Sequence, residues 1–303
     1  MVSLRLSVAG CLTLNEITNK ARGLWAVRAG LAQAGDTQGR RVEKLSIYIS
    51  SFDDYADIWS PFFTRFFKYW PDCPYLVFLG AVRKTYDDSR VTTVHSDNHK
   101  NWSSRALEHL GQLTTPYVLM MLEDYMIDRP VVNDDLGKVL ELMELYDLHA
   151  VRLFPDPAPE IAMPGVPILG FQAPGQLNRT NTHATIWLRE SLIEIIRPGE
   201  SLWEFEINGS VRSNRFAGGI CGTWKPFVHY VMAIGKGRWF RRALRSLARD
   251  GIHPDLTLRP AQTRGQAFRA WLEAWAGAAI RAILPLRWRQ QLQRKINPSA
   301  YRY

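Results

Sequence analysis

The sequence predicts an α/β fold: a mostly parallel sheet flanked by helices. Three observations predict it. Short apolar segments alternate with longer amphipathic ones through residues 42–234, the pattern of strands joined by crossover helices. The run Tyr117-Val118-Leu119-Met120-Met121-Leu122 has no charge and no alternation, which suits a strand covered on both faces. Two adjacent acids, Glu123 and Asp124, follow it directly. Ionised carboxylates are costly to bury unpaired, but at the exit of a central strand they open into the crevice where open α/β sheets bind ligands.

Each element has a local reason. In residues 42–50, Leu45, Ile47 and Ile49 alternate with Ser46, Tyr48 and Ser50, a first strand. Ser51-Phe52-Asp53-Asp54-Tyr55 is its exit loop. Residues 58–70 form an aromatic helix carrying Trp59, Phe62, Phe63, Phe66, Phe67 and Trp70, stopped by Pro71-Asp72-Cys73-Pro74. Residues 75–80 make a second strand, and residues 90–95 a third through Val91 and Val94. Residues 102–113 form a helix, and Thr114-Thr115-Pro116 marks the start of strand 117–122. Residues 134–146 are an amphipathic helix and 150–154 a short strand. Residues 156–181 are rich in Pro and Gly and read as a long loop, which in a compact domain is often functional. Strand 182–188, helix 190–196, a helix from 202 and a late strand at 227–234 follow.

Bulk properties fit a globular chain. The 303 residues are enough for a large core, with 46% hydrophobic and 22% charged residues. Eleven Trp and eleven Tyr suit core, interface or sugar stacking. Cys11, Cys73 and Cys221 are odd in number and widely spaced, which implies a reducing compartment rather than a disulfide framework. No apolar run is long enough to span a bilayer. The net charge of +9 is concentrated: residues 236–303 hold 15 Lys and Arg against 3 Asp and Glu, and the remainder holds 23 against 26. In residues 264–284, Phe268, Trp271, Leu272, Trp275, Ala279 and Ile283 recur at helical spacing with arginines between them, the character of an interfacial helix on anionic lipid. Residues 1–41 read as an N-terminal extension ending in a linker, 42–251 as the folded body and 252–303 as a basic amphipathic tail.

Several constellations suit chemistry. Glu123 and Asp124 offer hard oxygen ligands for Mg²⁺ or Mn²⁺, which bind through one or two carboxylates plus substrate phosphates. Their competing reading is an ion pair or a helix start. Trp102-Ser103-Ser104-Arg105 opens a helix, where Arg105 can pair bidentately with phosphate or simply be solvated. Leu202-Trp203-Glu204-Phe205-Glu206 carries two acids at a helix start, where acids also complement the helix dipole. The glycines in Gly235-Lys236-Gly237-Arg238-Trp239 permit close backbone approach to a ligand, although a solvated loop fits equally.

A helix bearing Ser-Arg, then a strand, then an acidic pair resembles the nucleotide-sugar half of GT-A glycosyltransferases. Leu122-Glu123-Asp124-Tyr125, Leu202 to Glu206 and Ile234 to Trp239 together resemble bacterial glycosyltransferase-like proteins of surface-polysaccharide synthesis, over residues 45–251. The chain carries Glu-Asp-Tyr where the standard GT-A pattern is Asp-x-Asp. The resemblance implies a GT-A-like, Rossmann-like sheet with an acceptor-side extension. It implies Asp124 as metal ligand, Glu123 as a supporting acid or ribose contact, and Asp53 and Asp54 as readers of base and ribose, against their reading as helix caps. Trp102, Arg105 and Lys236 would face the donor, and His229 would complete a metal shell, although an isolated His is more often simply packed. Glu206 would be the base of an inverting transfer and Glu204 an acceptor contact, or the reverse.

The expected function is transfer of a sugar from a nucleotide-sugar donor to a lipid-linked or growing surface glycan, assisted by Mn²⁺ or Mg²⁺. The expected setting is the inner face of the cytoplasmic membrane, reached through the basic tail. The alternatives are a degenerate sugar-nucleotide-binding or membrane-associated protein, and a nucleotidyltransferase. The second would carry a Gly-rich loop after its first strand, where this chain has Ser-Phe-Asp-Asp-Tyr. A nucleic-acid-binding module is disfavoured because the body is net acidic and carries no recognised nucleic-acid motif.

Overall fold

A computed structural model describes residues 44–98, 101–176, 178–216 and 219–267. Strand β1 (Leu45–Ser50) is buried along its whole length. It leads through α1 (Ala56–Tyr69) to β2 (Leu76–Ala81) and β3 (Val91–His95). Helix α2 (Trp102–Gln112) precedes β4 (Tyr117–Leu122), and β5 (Tyr125–Ile127) follows after only Glu123 and Asp124. Then come α3 (Asn133–Tyr146), β6 (Ala150–Arg152), β7 (Ile161–Ala162), β8 (Leu169–Phe171), β9 (Thr185–Leu188) and α4 (Arg189–Ile195).

The main sheet has nine strands in the order β3-β2-β1-β4-β9-β6-β10-β8-β7, where β10 is Ile220–Thr223. Strands β1, β2, β3 and β4 pair in parallel, as do β6 and β10. Only β8 and β9 run against the others. The predicted α/β class with a mostly parallel sheet is therefore the observed one.

The period-two geometry of the strands sorts the core into two layers. Leu45, Ile47, Ile49, Leu119 and Met121 pack with Phe62, Phe63 and Phe66 of α1 and Leu136, Val139 and Met143 of α3. Tyr48, Val118 and Met120 pack on the other face with Ala106 and Leu110 of α2 and Leu192 and Ile195 of α4. Burial on both faces explains why 117–122 shows no polar alternation. Pro61 lies in the second turn of α1, where it has no N–H to give the carbonyl of residue 57.

Several expectations change. Residues 156–181 are not all loop: β7 and β8 extend the sheet beyond β10. Strand β10, Ile-Cys-Gly-Thr, has no legible pattern in the sequence. The late strand divides into β11 (Tyr230–Met232), which pairs with β5, and β12 (Ile234–Gly235), which forms a hairpin with β13 (Arg238–Trp239). Helix α5 (Arg241–Arg249) is an element that the apolar spacing does not announce. The division drawn after Gly251 does not coincide with a break in packing. Trp239 N–H donates to Pro260 O and Gln262 N–H to Trp239 O, and Ile252 is buried. The expected N-terminal extension and nearly all of the expected tail helix lie outside the described residues.

Phe66 is fully buried between Phe62, Phe63, Phe67 and Trp70. Phe66→Ala is expected to cost about 3–5 kcal/mol of unfolding free energy, measured by urea denaturation.

Candidate active site

Because β1, β2 and β4 are parallel, their C-terminal ends open on one edge of the sheet. The ends of β1 and β4 lie side by side, with Ser50 opposite Leu122. The loops that follow, 51–55, 82–84 and 123–124, therefore converge.

Glu123 is 6% exposed and Asp124 is half-buried. Burial, with Asp124 beside it, pushes the Glu123 carboxyl up to about 8, against the Ser51 hydroxyl that bonds it. Burial also pushes Asp124 up to about 7. Asp124 Oδ1 is enclosed and has no hydrogen-bond partner, while its backbone oxygen accepts from Ala233 N–H at 2.8 Å. An enclosed, unpaired carboxylate oxygen beside a second acid fits a hard cation whose shell is completed by ligand phosphates. No cluster of three or more potential metal-binding side chains occurs among the described residues.

Arg105 reaches this edge from the first turn of α2, which Asn101 caps by accepting Ser104 N–H at 3.0 Å. Its guanidinium lies 4.6 Å from the Phe52 ring centroid. Burial lowers its pKa, while Tyr48, Asp54, Glu123 and Asp53 act in the opposite direction. Trp102 donates from Nε1 to Ser50 Oγ at 2.9 Å and its ring leans on Phe205. The structure thus brings Arg105, Trp102 and the acid pair together around the ends of β1 and β4.

Asp53 has a structural task. Its carboxylate accepts the backbone N–H groups of Val82, Arg83 and Lys84, at 2.9 Å for the nearest, and so ties the loop after β1 to the loop after β2. Burial opposes the ionised form, but these donors outweigh it and hold the carboxyl below its ordinary value. Asp54 is exposed and its carbonyl accepts from Arg259.

Arg259 is a neighbour that lies, by sequence alone, in the basic tail. It makes a bidentate pair with Asp57 at 2.8 Å, 202 residues away in the chain, and lies over the Tyr55 ring. It is also the cation whose charge favours ionised Glu123. No local pattern announces it, because its partner is brought near only by folding.

The two acids of the Trp-Glu-Phe-Glu segment separate clearly. Glu204 closes a capping box: Ser201 Oγ accepts Glu204 N–H, and the Glu204 carboxylate accepts Ser201 N–H at 2.7 Å. It is exposed, and these bonds lower its pKa. The carboxylate expected to contact the acceptor or serve as base is engaged here in helix capping. Glu206 lies in the wide π-turn Phe205–Gly209, a feature frequent at functional sites. Its carboxylate accepts from Thr182 N–H at 2.9 Å and Thr182 Oγ1 at 2.8 Å. Burial raises its pKa against those two bonds and the nearby Arg152. Gly209 lets this turn approach residue 180, since a Cβ there would lie 2.9 Å from Thr180 Oγ1. The carboxylate of Glu200, paired with Arg212 at 2.6 Å, anchors the helical segment.

Tyr125 connects the two acidic centres. It is buried, its hydroxyl lies 3.4 Å from Thr182 Oγ1, and it senses the charges of Asp124, Glu206 and Glu123. Its ring stacks on Tyr230 and His183. The sequence gives it no signal beyond its position directly after the acid pair.

His229 does not join the acids. Pairing of β5 with β11 sets it opposite Asp128, whose N–H donates to His229 O at 3.1 Å. That is four residues along the strand from Asp124, or about 13 Å. His183 is likewise engaged, through Nδ1 with the Tyr230 hydroxyl. Lys236 is exposed at the turn of the β12–β13 hairpin, where Lys236 (φ 51°) and Gly237 (φ 71°) are both left-handed, as a two-residue hairpin turn requires. The Ala233–Asp124 bond holds the start of this hairpin against the acid pair.

Neither a family profile nor a curated protein matches the sequence. Solved structures match at low identity. Staphylococcus aureus TarS 1-349 in complex with UDP-GlcNAc gives a TM-score of 0.43 at 12% identity, over 62% of this chain and 58% of that one. The mannosyltransferase PcManGT from Pyrobaculum calidifontis, in complex with GDP-Man and Mn²⁺, gives 0.44 at 14% identity, over 95% and 91%. The 2-C-methyl-D-erythritol 4-phosphate cytidylyltransferase from Thermus thermophilus gives 0.37 at 9%, over 69% and 100%. At such distances the roles of individual residues rest on this chain's own geometry.

Raised carboxyl pKa values have a definite sign. The folded, metal-free protein retains protons on Glu123 and Asp124 that the unfolded chain releases near pH 4. Their contribution to stability is present below that pH and is lost as pH rises through about 7 to 8. In chelator-treated protein, the melting temperature is expected to fall between pH 5 and 8.5. Asp124→Asn should flatten the decline and raise the pH 8.5 value by roughly 2–4 °C, the equivalent of about 1 kcal/mol, in thermal melts.

Proposed function

We propose that this protein is a GT-A-like glycosyltransferase that moves a sugar from a nucleotide-sugar donor to a hydroxyl of a glycan acceptor. The observation that carries the reading is the meeting of the acid pair and the half-buried Glu206 around Tyr125, with the buried Arg105 close to Glu123 on the other side. Arg105 and the exposed Lys236 would hold the diphosphate, with Trp102 beside it and the 51–55 loop, which includes Asp54, facing the nucleoside. Asp53 would serve indirectly, by fixing that loop. A divalent metal, Mn²⁺ or Mg²⁺, would be held by Asp124 with Glu123 beside it, and when bound would offset charge on the departing diphosphate.

Glu206 is the group we assign as general base. Its two bonds to Thr182 fix the carboxylate, and burial raises its proton affinity, both suited to taking a proton from an acceptor hydroxyl. Direct attack of that hydroxyl on the anomeric carbon, opposite the departing nucleoside diphosphate, would invert its configuration. The resemblance of the motifs supports a lipid-linked or growing surface glycan as acceptor, at the inner face of the cytoplasmic membrane.

Glu206→Gln is expected to lower kcat by about 10²–10⁴-fold with donor affinity unchanged. Glu204→Gln keeps a capping-box acceptor for Ser201 N–H and should leave both stability and kcat near the natural values. Steady-state release of nucleotide from donor plus acceptor separates the two.

The donor itself is found by thermal shift with a panel of nucleotide sugars, with and without Mn²⁺, on the natural protein and Asp124→Ala. Stabilisation by one donor that needs Mn²⁺ and disappears in the variant is expected. Donor binding that ignores both metal and substitution would keep the transferase and remove the metal. Failure of every donor would favour a protein that has lost catalysis.

A further inference from the structure

We propose that the arginine face of α5, with the exposed leucines of the strap that follows it, is a docking surface for an anionic lipid bilayer. The inference does not depend on the transferase reading. It assigns the contact to a folded part of the body rather than to the C-terminal tail.

Helix α5 has two unlike faces. Ala243, Ser246 and Leu247 are buried. On this side Arg65 of α1 donates to Ser246 Oγ at 2.7 Å and pairs with Asp250. Arg242, Arg245 and Arg249 fall at i, i+3 and i+7, one stripe of the helix, and all three are exposed, as is Arg241. Residues 236–249 contain six Lys and Arg and no Asp or Glu. Arg241 donates from Nε to Gln262 O at 2.8 Å and Arg242 lies 5.9 Å from the Phe240 ring centroid, while no acid on α5 offsets the charge of the stripe.

The chain then doubles back beside the helix. Ile252 N–H donates to Leu247 O, and ten residues on Gln262 N–H donates to Trp239 O, next to the start of α5. Between these anchors, Leu256 and Leu258 are 45% and 69% exposed. Of the nearby acids, Asp250 is committed inward to Arg65, Lys68 and Tyr69, whereas Asp255 is exposed and accepts only from the N–H and hydroxyl of Thr257, so the arginine stripe outnumbers it rather than facing no acid.

Charge and apolarity together select the partner. Arginines attract the negative surface of anionic lipid, each contributing near the membrane, and adjacent exposed leucines enter the acyl boundary. A nucleic acid would use the arginines but offers nothing to the leucines, and the chain outside residues 236–303 is net acidic.

The test is cosedimentation of the full chain with vesicles of phosphatidylcholine alone or mixed with phosphatidylglycerol. Binding is expected only to the mixed vesicles, and is expected to weaken as salt rises. The triple variant Arg242→Gln, Arg245→Gln, Arg249→Gln should bind them roughly 100-fold more weakly, from about 1 kcal/mol per arginine. Leu256→Ser with Leu258→Ser should weaken binding about 10-fold or more. Thermal melts check that both variants remain folded. Undiminished binding by the folded triple variant, equal binding to neutral vesicles, or no binding by the natural protein would each overturn the proposal. So would preferential capture of a nucleic-acid duplex over the mixed vesicles at the same salt.

Discussion

Two neighbouring carboxyl groups held away from water at the end of a central strand set the terms for the rest of this site. Glu123 and Asp124 follow β4 without a loop to carry them outward, because β5 begins at the next residue and is pinned by β11. Both are therefore costly to ionise. The cations nearby, Arg105 from α2 and Arg259 from the strap, ease that cost without removing it. Such a centre accepts positive charge readily.

The scaffold around the pair is rigid on one side and irregular on the other. The ends of β1, β2 and β4 are fixed by parallel ladders, and Asp53 binds two of the exit loops together through three backbone donors. On the Glu206 side the chain is held by buried arginines. Arg152 donates to the carbonyls of Pro157, Asn178 and Arg179, and Arg179 donates to those of Gln172 and Ser213. These guanidinium groups satisfy carbonyls that irregular backbone would otherwise bury unpaired. A π-turn beside that region lets Glu206 face Thr182 while its neighbour Phe205 stays in the core.

Legibility in the sequence followed the range of the forces involved. Strands β1 and β4 and helices α1 to α4 were visible because apolar spacing records burial locally. Strand β10 was not, since Ile-Cys-Gly-Thr owes its place to β6 and β8 on either side. Glu204 and Glu206 are indistinguishable as letters. Their surroundings divide because Ser201 engages one and Thr182 the other. His229 reads as a plausible ligand until strand pairing sets it opposite Asp128.

The sequence by itself determined the α/β class, the burial of β4 on both faces and the presence of two acids at its end, because each follows from residue type and local period. Only the tertiary structure decided which charges meet. Arg259 reaches Asp57 from 202 residues away, Tyr125 comes to bridge the acid pair and Glu206, and the arginines of α5 are left outward when Ser246 and Leu247 pack inward. The physical reason is that electrostatic and hydrogen-bond partnerships depend on distance in space, and nothing in local spacing encodes that distance.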